Sequence, residues 1–287
     1  MPTVSVIIPT YNRAHLVGRA VESVLDQTFQ DFEILVVDDH SVDNTEEVVN
    51  DFNDARIRYI KHQINMGGNA TRNTGVKNSK GEYIAFLDSD DEWLPEKLKK
   101  QIDIFQRAPD KVGLVYSWAE MIDEKGELFR KLNFVVKGRV LQNILRGNFI
   151  SSSTVVVKKK CFDEVGLFDE SFASCQDREM WTRIATKYEI EVVPEYLDRI
   201  YKDEKNSISA SPKKVVYGYY QYFIKFQELY LSEGMREELS QNLSWVAYEL
   251  IKEGYKKKAR ECFRLSFKYS KTNWKNYARF FLSLIKR

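Results

Sequence analysis

The chain has 287 residues, of which 43% are hydrophobic and 30% are charged, and its formal net charge is +2. This composition is typical of a globular protein, and it excludes a chain that is too polar to bury a core. No apolar run approaches the roughly 18 residues that a membrane-spanning helix needs. The length suits one large domain with an extension, and we expect no nucleic-acid partner.

The cysteines and histidines predict neither a disulfide framework nor a zinc site. Cys161, Cys175 and Cys262 are odd in number and lack metal-type spacing. This pattern favours reduced thiols and a cytoplasmic location, peripheral to the membrane at most. The first residues run straight into a strand pattern at Val4, so we expect no secretory signal peptide.

Charge is distributed unevenly along the chain. Residues 213–287 contain 16 Lys/Arg and 7 Asp/Glu, a net charge of +9, whereas the residues before them contain 28 and 35, a net charge of −7. The acidic part suits a metal site, and the basic, aromatic tail suits an anionic surface. A solvated helix face, a helical cap or a dimer contact would also explain the tail.

Strands alternate with helical spacing in the first 115 residues. This alternation predicts an α/β fold with a Rossmann-like, mainly parallel sheet and helices on both faces. Ligands of such sheets gather at the carboxyl ends of the strands. The four strands are predicted at Val4–Pro9, Phe32–Val37, Ile57–Ile60 and Tyr83–Leu87.

The rest of the chain is less regular up to Pro212, and four helical stretches follow that residue. Gly254 and Tyr255 lie at the turn of a predicted helix–turn–helix unit. We therefore divide the chain at residues 1–115, 116–211 and 212–287. Further strands are predicted at Leu114–Trp118, Thr154–Val157, Ile190–Val193 and Leu197–Tyr201, and helices at Val140–Leu145 and Glu179–Ala185.

The segment after the fourth strand is the most informative. Asp88 and Asp90 converge where the chain turns past the strand end, since side chains on a straight strand alternate between its faces. Two close carboxylates repel each other unless positive charge lies between them. A divalent cation with oxygen ligands, which keeps room for phosphate oxygens, supplies that charge. An acidic surface turn is the alternative.

Three more side chains lie at the same predicted sheet edge. Tyr11 can offer an aromatic face to a base, and Asp39 can accept a hydrogen bond from a ring N–H. Arg72 can reach a phosphate oxygen. Each also has a plain structural explanation, namely packing, turn capping and a surface cation, but their joint placement favours a nucleotide site.

Several phosphate-binding motifs are absent. A dinucleotide-binding fold needs a Gly-rich loop where this chain has Pro9–Arg13, and a Walker loop needs Gly-Lys-Ser/Thr after Gly67-Gly68. An aspartyl phosphatase would carry its acidic motif on the first strand. A sugar-nucleotide pyrophosphorylase would want a basic Gly-rich loop, for which Arg13 alone is a poor substitute.

Four stretches, in this order, resemble the family-2 glycosyltransferases, which use nucleotide sugars and have the GT-A fold. The resemblance covers residues 1–115 and continues more weakly to about residue 210. It implies that residues 1–115 bind the nucleotide sugar and that 116–211 bind the acceptor and supply the base. The matching stretches are Val4–Arg13, Val36–Ser41, Asn65–Asn73 and Leu87–Asp91.

The resemblance also implies roles for single residues. Asp90 would bind Mn²⁺ or Mg²⁺ together with Asp88, which would also lie near the ribose. Trp118 is a weaker candidate for the acceptor side. The donor-binding set is Pro9, Thr10, Tyr11, Arg13, Asp39, Gly68, Arg72, Asp88 and Ser89.

The catalytic base of the family lies in a Glu-Asp pair that opens a helix after a Gly-x-Phe-Asp-Glu segment, which here is Gly166–Glu170. Asp177 matches the base, whereas Gln176 departs from the usual Glu. An Asp favoured by the dipole of a helix N-terminus is the alternative explanation for Asp177. Relatives have a His or Arg near residues 201–209 for the diphosphate, and here Lys202 or Lys205 would replace it.

The function implied is inverting transfer of a sugar from a nucleotide-diphosphate sugar to an acceptor hydroxyl of a glycan or lipid-linked glycan. A UDP-sugar is the favoured donor, the metal assists, and Asp177 is the general base. The alternative is an inactive nucleotide-sugar-binding partner in a glycan assembly complex. The C-terminal helices would provide a peripheral membrane contact or a homodimer contact.

Overall fold

The computed structural model describes residues 1–202 and 211–285, with side chains through Leu282 in the last helix. Contacts divide the chain into two compact units, Met1–Glu170 with Asp177–Asp203 and Ser171–Gln176 with Glu204–Arg287. Within the described ranges, no helix combines the length and apolarity needed to cross a membrane.

The first unit is built on a nine-stranded sheet. Its strand order is β3-β2-β1-β4-β8-β6-β9-β5, with β7 paired to β6. Strands β1 to β4 are parallel, as predicted, whereas β8 runs antiparallel to both β4 and β6. The sheet is therefore mixed. The strands are β1 Val4–Thr10, β2 Phe32–Asp38, β3 Ile57–Lys61, β4 Tyr83–Phe86, β5 Glu92–Trp93, β6 Val112–Ile122, β7 Leu128–Leu132, β8 Val155–Lys158 and β9 Glu189–Tyr201.

Neighbouring residues of each strand point to opposite faces of the sheet, and helices cover both faces. Val6 of β1 and Ile34 of β2 belong to one buried cluster, whereas Ile7 and Leu35 belong to the other. The α/β fold class is confirmed. The helices are α1 Ala14–Leu25, α2 Thr45–Asn50, α3 Gly68–Asn78, α4 Lys97–Arg107, α5 Leu141–Arg146, α6 Lys159–Val165 and α7 Gln176–Ala185, with a 3-10 turn at Ser152–Thr154.

Helix α3 lies unusually close to the sheet at Gly75. A Cβ built on Gly75 would lie 2.4 Å from the Cγ2 atom of Ile7 on β1. Real carbon atoms do not approach this closely, so only glycine allows the helix to rest on the strand at this height.

A buried ion pair lies inside the first unit. Lys97 of α4 and Asp198 of β9 both have fully buried side chains, with Nζ 3.5 Å from Asp198 Oδ1. The ammonium group also donates to Gln101 Oε1 at 2.7 Å and to the Thr154 carbonyl at 3.0 Å, and the Ser117 hydroxyl donates to Asp198 at 2.5 Å. Burial lowers the pKa of Lys97 to about 8 and raises the pKa of Asp198 to about 6.

The last strand differs from the sequence prediction. Two short strands were expected, but β9 is continuous through Pro194. Its pairing with β6 shifts register after Val193, which pairs with Ser117, and resumes at Tyr196, which pairs with Trp118. Pro194 falls in this irregularity, where the ladder needs no N–H from it, so the strand tolerates the proline.

The second unit is helical. The expected unit between Ala247 and Phe267 is confirmed, with Gly254 and Tyr255 between two helices and with Cys262 fully buried. Five helices are described after residue 211 where four were predicted, because the chain breaks at Phe226. They are α8 Pro212–Lys225, α9 Gln227–Ser232, α10 Arg236–Lys252, α11 Lys256–Tyr269 and α12 Trp274–Ile285.

Candidate active site

The parallel strands β1, β2 and β4 end side by side and bring the predicted nucleotide residues to one edge. The Asp39 amide donates to the Thr10 carbonyl at 2.9 Å, which joins the loops after β1 and β2. Tyr11 lies at the tip of the first loop with 47% of its surface exposed, as a platform for a base requires. Packing in the core, the plain explanation for Tyr11, does not fit this exposure.

The Asp39 carboxylate is held by three donors. The amides of Met66 and Gly67 donate to it at 2.8 and 2.7 Å, and Gly67 has a positive φ of 90° that suits glycine. The Nδ1 atom of His62 donates at 2.9 Å, because a carboxylate only accepts, and Nε2 then accepts from the Thr74 hydroxyl. Two donors reach Oδ1 and one reaches Oδ2, so Oδ2 keeps a lone pair for a ligand N–H.

Arg72 projects from the first turns of α3 toward the end of β4. Its Nη2 atom donates to Asp88 Oδ1 at 2.6 Å. Its Nε atom is buried and, like Thr10 Oγ1, has no hydrogen-bond partner among residues 1–202 and 211–285. Buried polar atoms are normally satisfied, so these two atoms are available to a polar ligand at this edge.

The turn after β4 carries three carboxylates in four residues. Asp90 Oδ2 accepts from Arg13 Nη1 at 3.1 Å, and the Asp90 carbonyl accepts from Arg19, whose guanidinium group stacks 3.6 Å above the ring of Tyr201. Asp91 points inward and is buried. Burial, and then the charges of Asp90 and Asp88, raise the pKa of Asp91 well above its usual range.

Ser153 ties this turn to the rest of the sheet. Because β8 is antiparallel to β4, the 3-10 turn before β8 lies beside the end of β4. The Ser153 hydroxyl donates to Asp91 and accepts from the Asp88 amide at 3.2 Å, and the Tyr201 amide donates to Asp91 at 3.0 Å. The turn that carries Asp88 and Asp90 is therefore anchored to two distant segments.

Asp177 lies in the first turn of α7 and is partly buried. Its carboxylate accepts from the side-chain amide of Asn148 at 2.8 Å and from the Arg178 amide at 2.7 Å. Burial raises its pKa, these two hydrogen bonds oppose the rise, and the charges of Arg72 and Asp88 act on it as well. Asp177 is therefore electrostatically linked to the turn after β4.

The other candidates are placed as follows. Trp118 is half-buried on β6, with its indole N–H donating to the Phe134 carbonyl at 3.0 Å. Gln176 is the first residue of α7. The Lys202 amide donates to the Ile122 carbonyl at 2.9 Å. Lys205 lies outside the described residues. Pro9 lies near the end of β1. Gly68 is the first residue of α3, and Ser89 lies in the turn after β4.

Among the residues of this site, Asp91, Arg19, Asn148 and Ser153 carried no assigned role in the sequence analysis. Asp91 lay within the acidic stretch, and its position directly after Asp90 was the available signal. Arg19 was hidden within an ordinary amphipathic helix. Asn148 and Ser153 lie in an irregular segment without periodicity, so only the folded chain brings them to Asp177 and Asp91.

The turn after β4 fits a divalent cation of the kind the resemblance implies. No group of three metal-ligating side chains occurs in the described part of the chain. Mg²⁺ and related ions, however, often take only one or two carboxylates from the protein and the remaining oxygens from phosphates. The charges of Asp90 and Asp88 both act on the pKa of Asp91, so the three carboxylates of this turn lie close together. Asp90 and Asp88 would hold the ion.

Comparison with known proteins identifies the family of the chain. The profile of glycosyl transferase family 2 matches residues 5–160, which is more than half of the chain. The chain belongs to this family.

Two curated relatives illustrate the similarity. An uncharacterized glycosyltransferase of Rickettsia felis is 38% identical over 64% of this chain, and this chain spans only 31% of that protein. The Escherichia coli UDP-Glc:alpha-D-GlcNAc-diphosphoundecaprenol beta-1,3-glucosyltransferase WfgD is 32% identical, over 74% of this chain and 81% of its own length.

Solved structures share the fold. Staphylococcus aureus TarS 1–349, in complex with UDP-GlcNAc, superposes with a TM-score of 0.62 at 20% identity, over 95% of this chain and 74% of its own. The mannosyltransferase PcManGT of Pyrobaculum calidifontis, in complex with GDP-Man and Mn²⁺, gives a TM-score of 0.61 at 18% identity, over 99% of this chain and 86% of its own.

Proposed function

We propose that this protein is an inverting glycosyltransferase that moves a sugar from a UDP-sugar to an acceptor hydroxyl of a lipid-linked glycan. The observation that carries the proposal is the position of Asp177, whose pKa responds to the charges of Arg72 and Asp88. A candidate base is thus close enough to interact electrostatically with the candidate diphosphate site. The E. coli relative named for a UDP-Glc donor and a diphosphoundecaprenol acceptor supports this choice of substrates.

The nucleoside of the donor lies on the edge formed by β1 and β2. Tyr11 stacks on the base, and the free lone pair of Asp39 Oδ2 accepts from its ring N–H. The Thr10 hydroxyl and the Nε atom of Arg72, both without a partner in the described ranges, hydrogen-bond the donor. Their burial makes these bonds worth more than exposed ones.

The diphosphate lies over the turn after β4. Arg13 and Arg72 are each paired with one carboxylate of the turn and provide donors of fixed geometry for phosphate oxygens. When bound at Asp90 and Asp88, Mn²⁺ or Mg²⁺ supplies positive charge that balances the leaving diphosphate. Lys202 lies at the end of β9 as a further cation for this group.

Asp177 takes the proton from the acceptor hydroxyl while that oxygen attacks the anomeric carbon opposite the diphosphate. Its raised pKa makes it a stronger base than an exposed aspartate, and Asn148 holds its orientation. Gln176, where relatives have Glu, removes a like charge beside the base and keeps the rise in pKa moderate. Trp118 lines the acceptor side.

The first experiment compares Asp177→Asn with the unaltered protein. We expect donor binding to be retained and transfer to fall at least about a hundredfold, the usual scale for a general base. Donor binding is measured by thermal shift with UDP-, GDP- and dTDP-sugars and Mn²⁺, and transfer is measured with a lipid-linked acceptor. Asp26→Asn, an exposed residue just after α1, is the matched control.

Normal turnover by Asp177→Asn would show that the base lies elsewhere. If the unaltered protein binds the donor but neither transfers nor hydrolyses it, the second candidate gains: a nucleotide-sugar-binding partner in glycan assembly. The observation that favours this second candidate is Gln176 in place of the usual Glu.

A further inference from the structure

The face of helix α12 that packs into the second unit is partly polar. Phe280 contacts Phe263 and Phe267 there, and Asn276 donates to Ser240 Oγ at 2.7 Å. Arg279 donates to the Gln241 carbonyl at 2.9 Å and to Ser244 Oγ at 2.8 Å. These hydrogen bonds to α10 fix the rotation of α12 about its axis.

The opposite face of α12 carries large apolar side chains into solvent. Trp274 is 71% exposed and Phe281 is 59% exposed, and Tyr277 and Leu282 are also exposed. Trp274, Tyr277 and Phe281 share one side of the helix, since residues three, four and seven apart do so. An exposed apolar patch of this kind marks an interaction surface.

The charge around this stripe identifies the partner. Residues 252–287 contain 12 Lys/Arg and 2 Asp/Glu, a net charge of +10. Lys271 precedes the stripe and Lys275 flanks it, and both side chains are exposed. A partner must therefore be both anionic and able to accept aromatic side chains.

We infer that α12 docks the protein on an anionic lipid bilayer, with Trp274, Tyr277 and Phe281 inserted at the level of the headgroups. Aromatic residues prefer this interface, and basic residues are attracted to anionic lipids. A second copy of the chain is the competing occupant, but it would bring one strongly basic surface against another, and like charges oppose such contact.

This inference rests on the proposed function, in which the acceptor is lipid-linked. Lipid binding itself, however, needs neither donor nor acceptor. Failure of transfer and failure of docking are therefore separate results. Docking would also limit the search for the acceptor to two dimensions.

The test is co-sedimentation of the full chain with vesicles of phosphatidylcholine, with and without phosphatidylglycerol. The double variant Trp274→Ser/Phe281→Ser should bind at least about tenfold more weakly, because it loses most of the inserted apolar surface. Lys271→Gln and Lys275→Gln should each weaken binding to the anionic vesicles by about fivefold. Phe129→Ser is the matched control, since Phe129 is 47% exposed on β7 in the first unit.

Circular dichroism and gel filtration establish that each variant is folded and report its oligomeric state. Docking by α12 is supported if phosphatidylglycerol is required, high salt releases the protein, and Phe129→Ser binds normally. The inference is overturned if the unaltered protein ignores anionic vesicles or if the double variant binds as well as the control. If the unaltered protein forms a dimer and does not bind vesicles, and the double variant is a monomer, this face contacts a second copy of the chain.

Discussion

Two groups of carboxylates in the first unit differ in their surroundings. Asp198 of β9 pairs with Lys97 of α4, and both side chains are fully buried. The turn after β4 faces an open edge, where Asp88 keeps 35% of its side chain exposed and Arg72 Nε lacks a partner in the described residues. The first region is held by an ion pair inside the fold, whereas we propose that a ligand completes the second. Variants in the first should change stability, and variants in the second should change binding or rate.

The largest stability effect is expected for Lys97→Met. Removing the ammonium group leaves Asp198 buried without its cation, which costs about 3–5 kcal/mol of unfolding free energy. Urea denaturation measures this loss. The double variant Lys97→Met/Asp198→Asn should recover most of it, because the amide oxygen still accepts from Ser117 and no charge remains buried.

The loss in Lys97→Met should depend on pH. The pKa of Asp198 is already raised to about 6, and Lys97 is the charge that lowers it, so the variant raises it further. The folded-state pKa of Asp198 lies above its unfolded value of about 4. Stability is therefore lost as pH rises from the unfolded pKa to the folded pKa. Lys97→Met should therefore be less stable at pH 8 than at pH 5. Equal losses at both values would contradict a charged Asp198.

Asp90→Ala should leave the fold intact and weaken donor binding in the presence of Mn²⁺ by at least about tenfold, because one of two carboxylates for the ion is lost. Thermal shift with and without Mn²⁺ measures this. The variant should bind the donor equally in both conditions. Asp51→Ala, an exposed residue after α2, is the control. Continued dependence on Mn²⁺ would place the ion away from Asp90.

The smallest effect is expected for Asn148→Ala. The amide of Asn148 stabilises the ionised form of Asp177, so its removal raises the pKa of Asp177 further. Since the base must be ionised, the acidic limb of the pH–rate profile should move to higher pH, with donor binding unchanged. Asn50→Ala, at the exposed end of α2, should leave the profile in place. An unmoved limb in Asn148→Ala would mean that Asn148 does not orient the base.

The sequence predicted the open region better than the sealed one. Strand periodicity and the acidic stretch located the strand ends, Asp88 and Asp90, whereas Asp177 was named only through the family resemblance. Lys97 lies in the highly charged helix α4, where a lysine normally faces solvent, yet it is buried because it pairs with Asp198 on a distant strand. No local pattern reports a pairing between positions so far apart.

The limits elsewhere have the same cause. Helical spacing predicted that residues after 274 form a helix, but the polar partners on α10 decide which face of α12 remains exposed. A strand was predicted to end at Val193, before Pro194. Only the register shift against β6 explains why β9 continues through the proline.

The contact between Gly75 and Ile7 links two positions that a protein engineer would treat as independent. Arg72 lies one helical turn before Gly75, so the height of α3 above β1 sets how far its guanidinium group extends past the sheet edge. Enlarging position 75 would lift the helix and withdraw that cation from Asp88. A redesign that places a larger residue at position 75 should therefore first replace Ile7 with a smaller one.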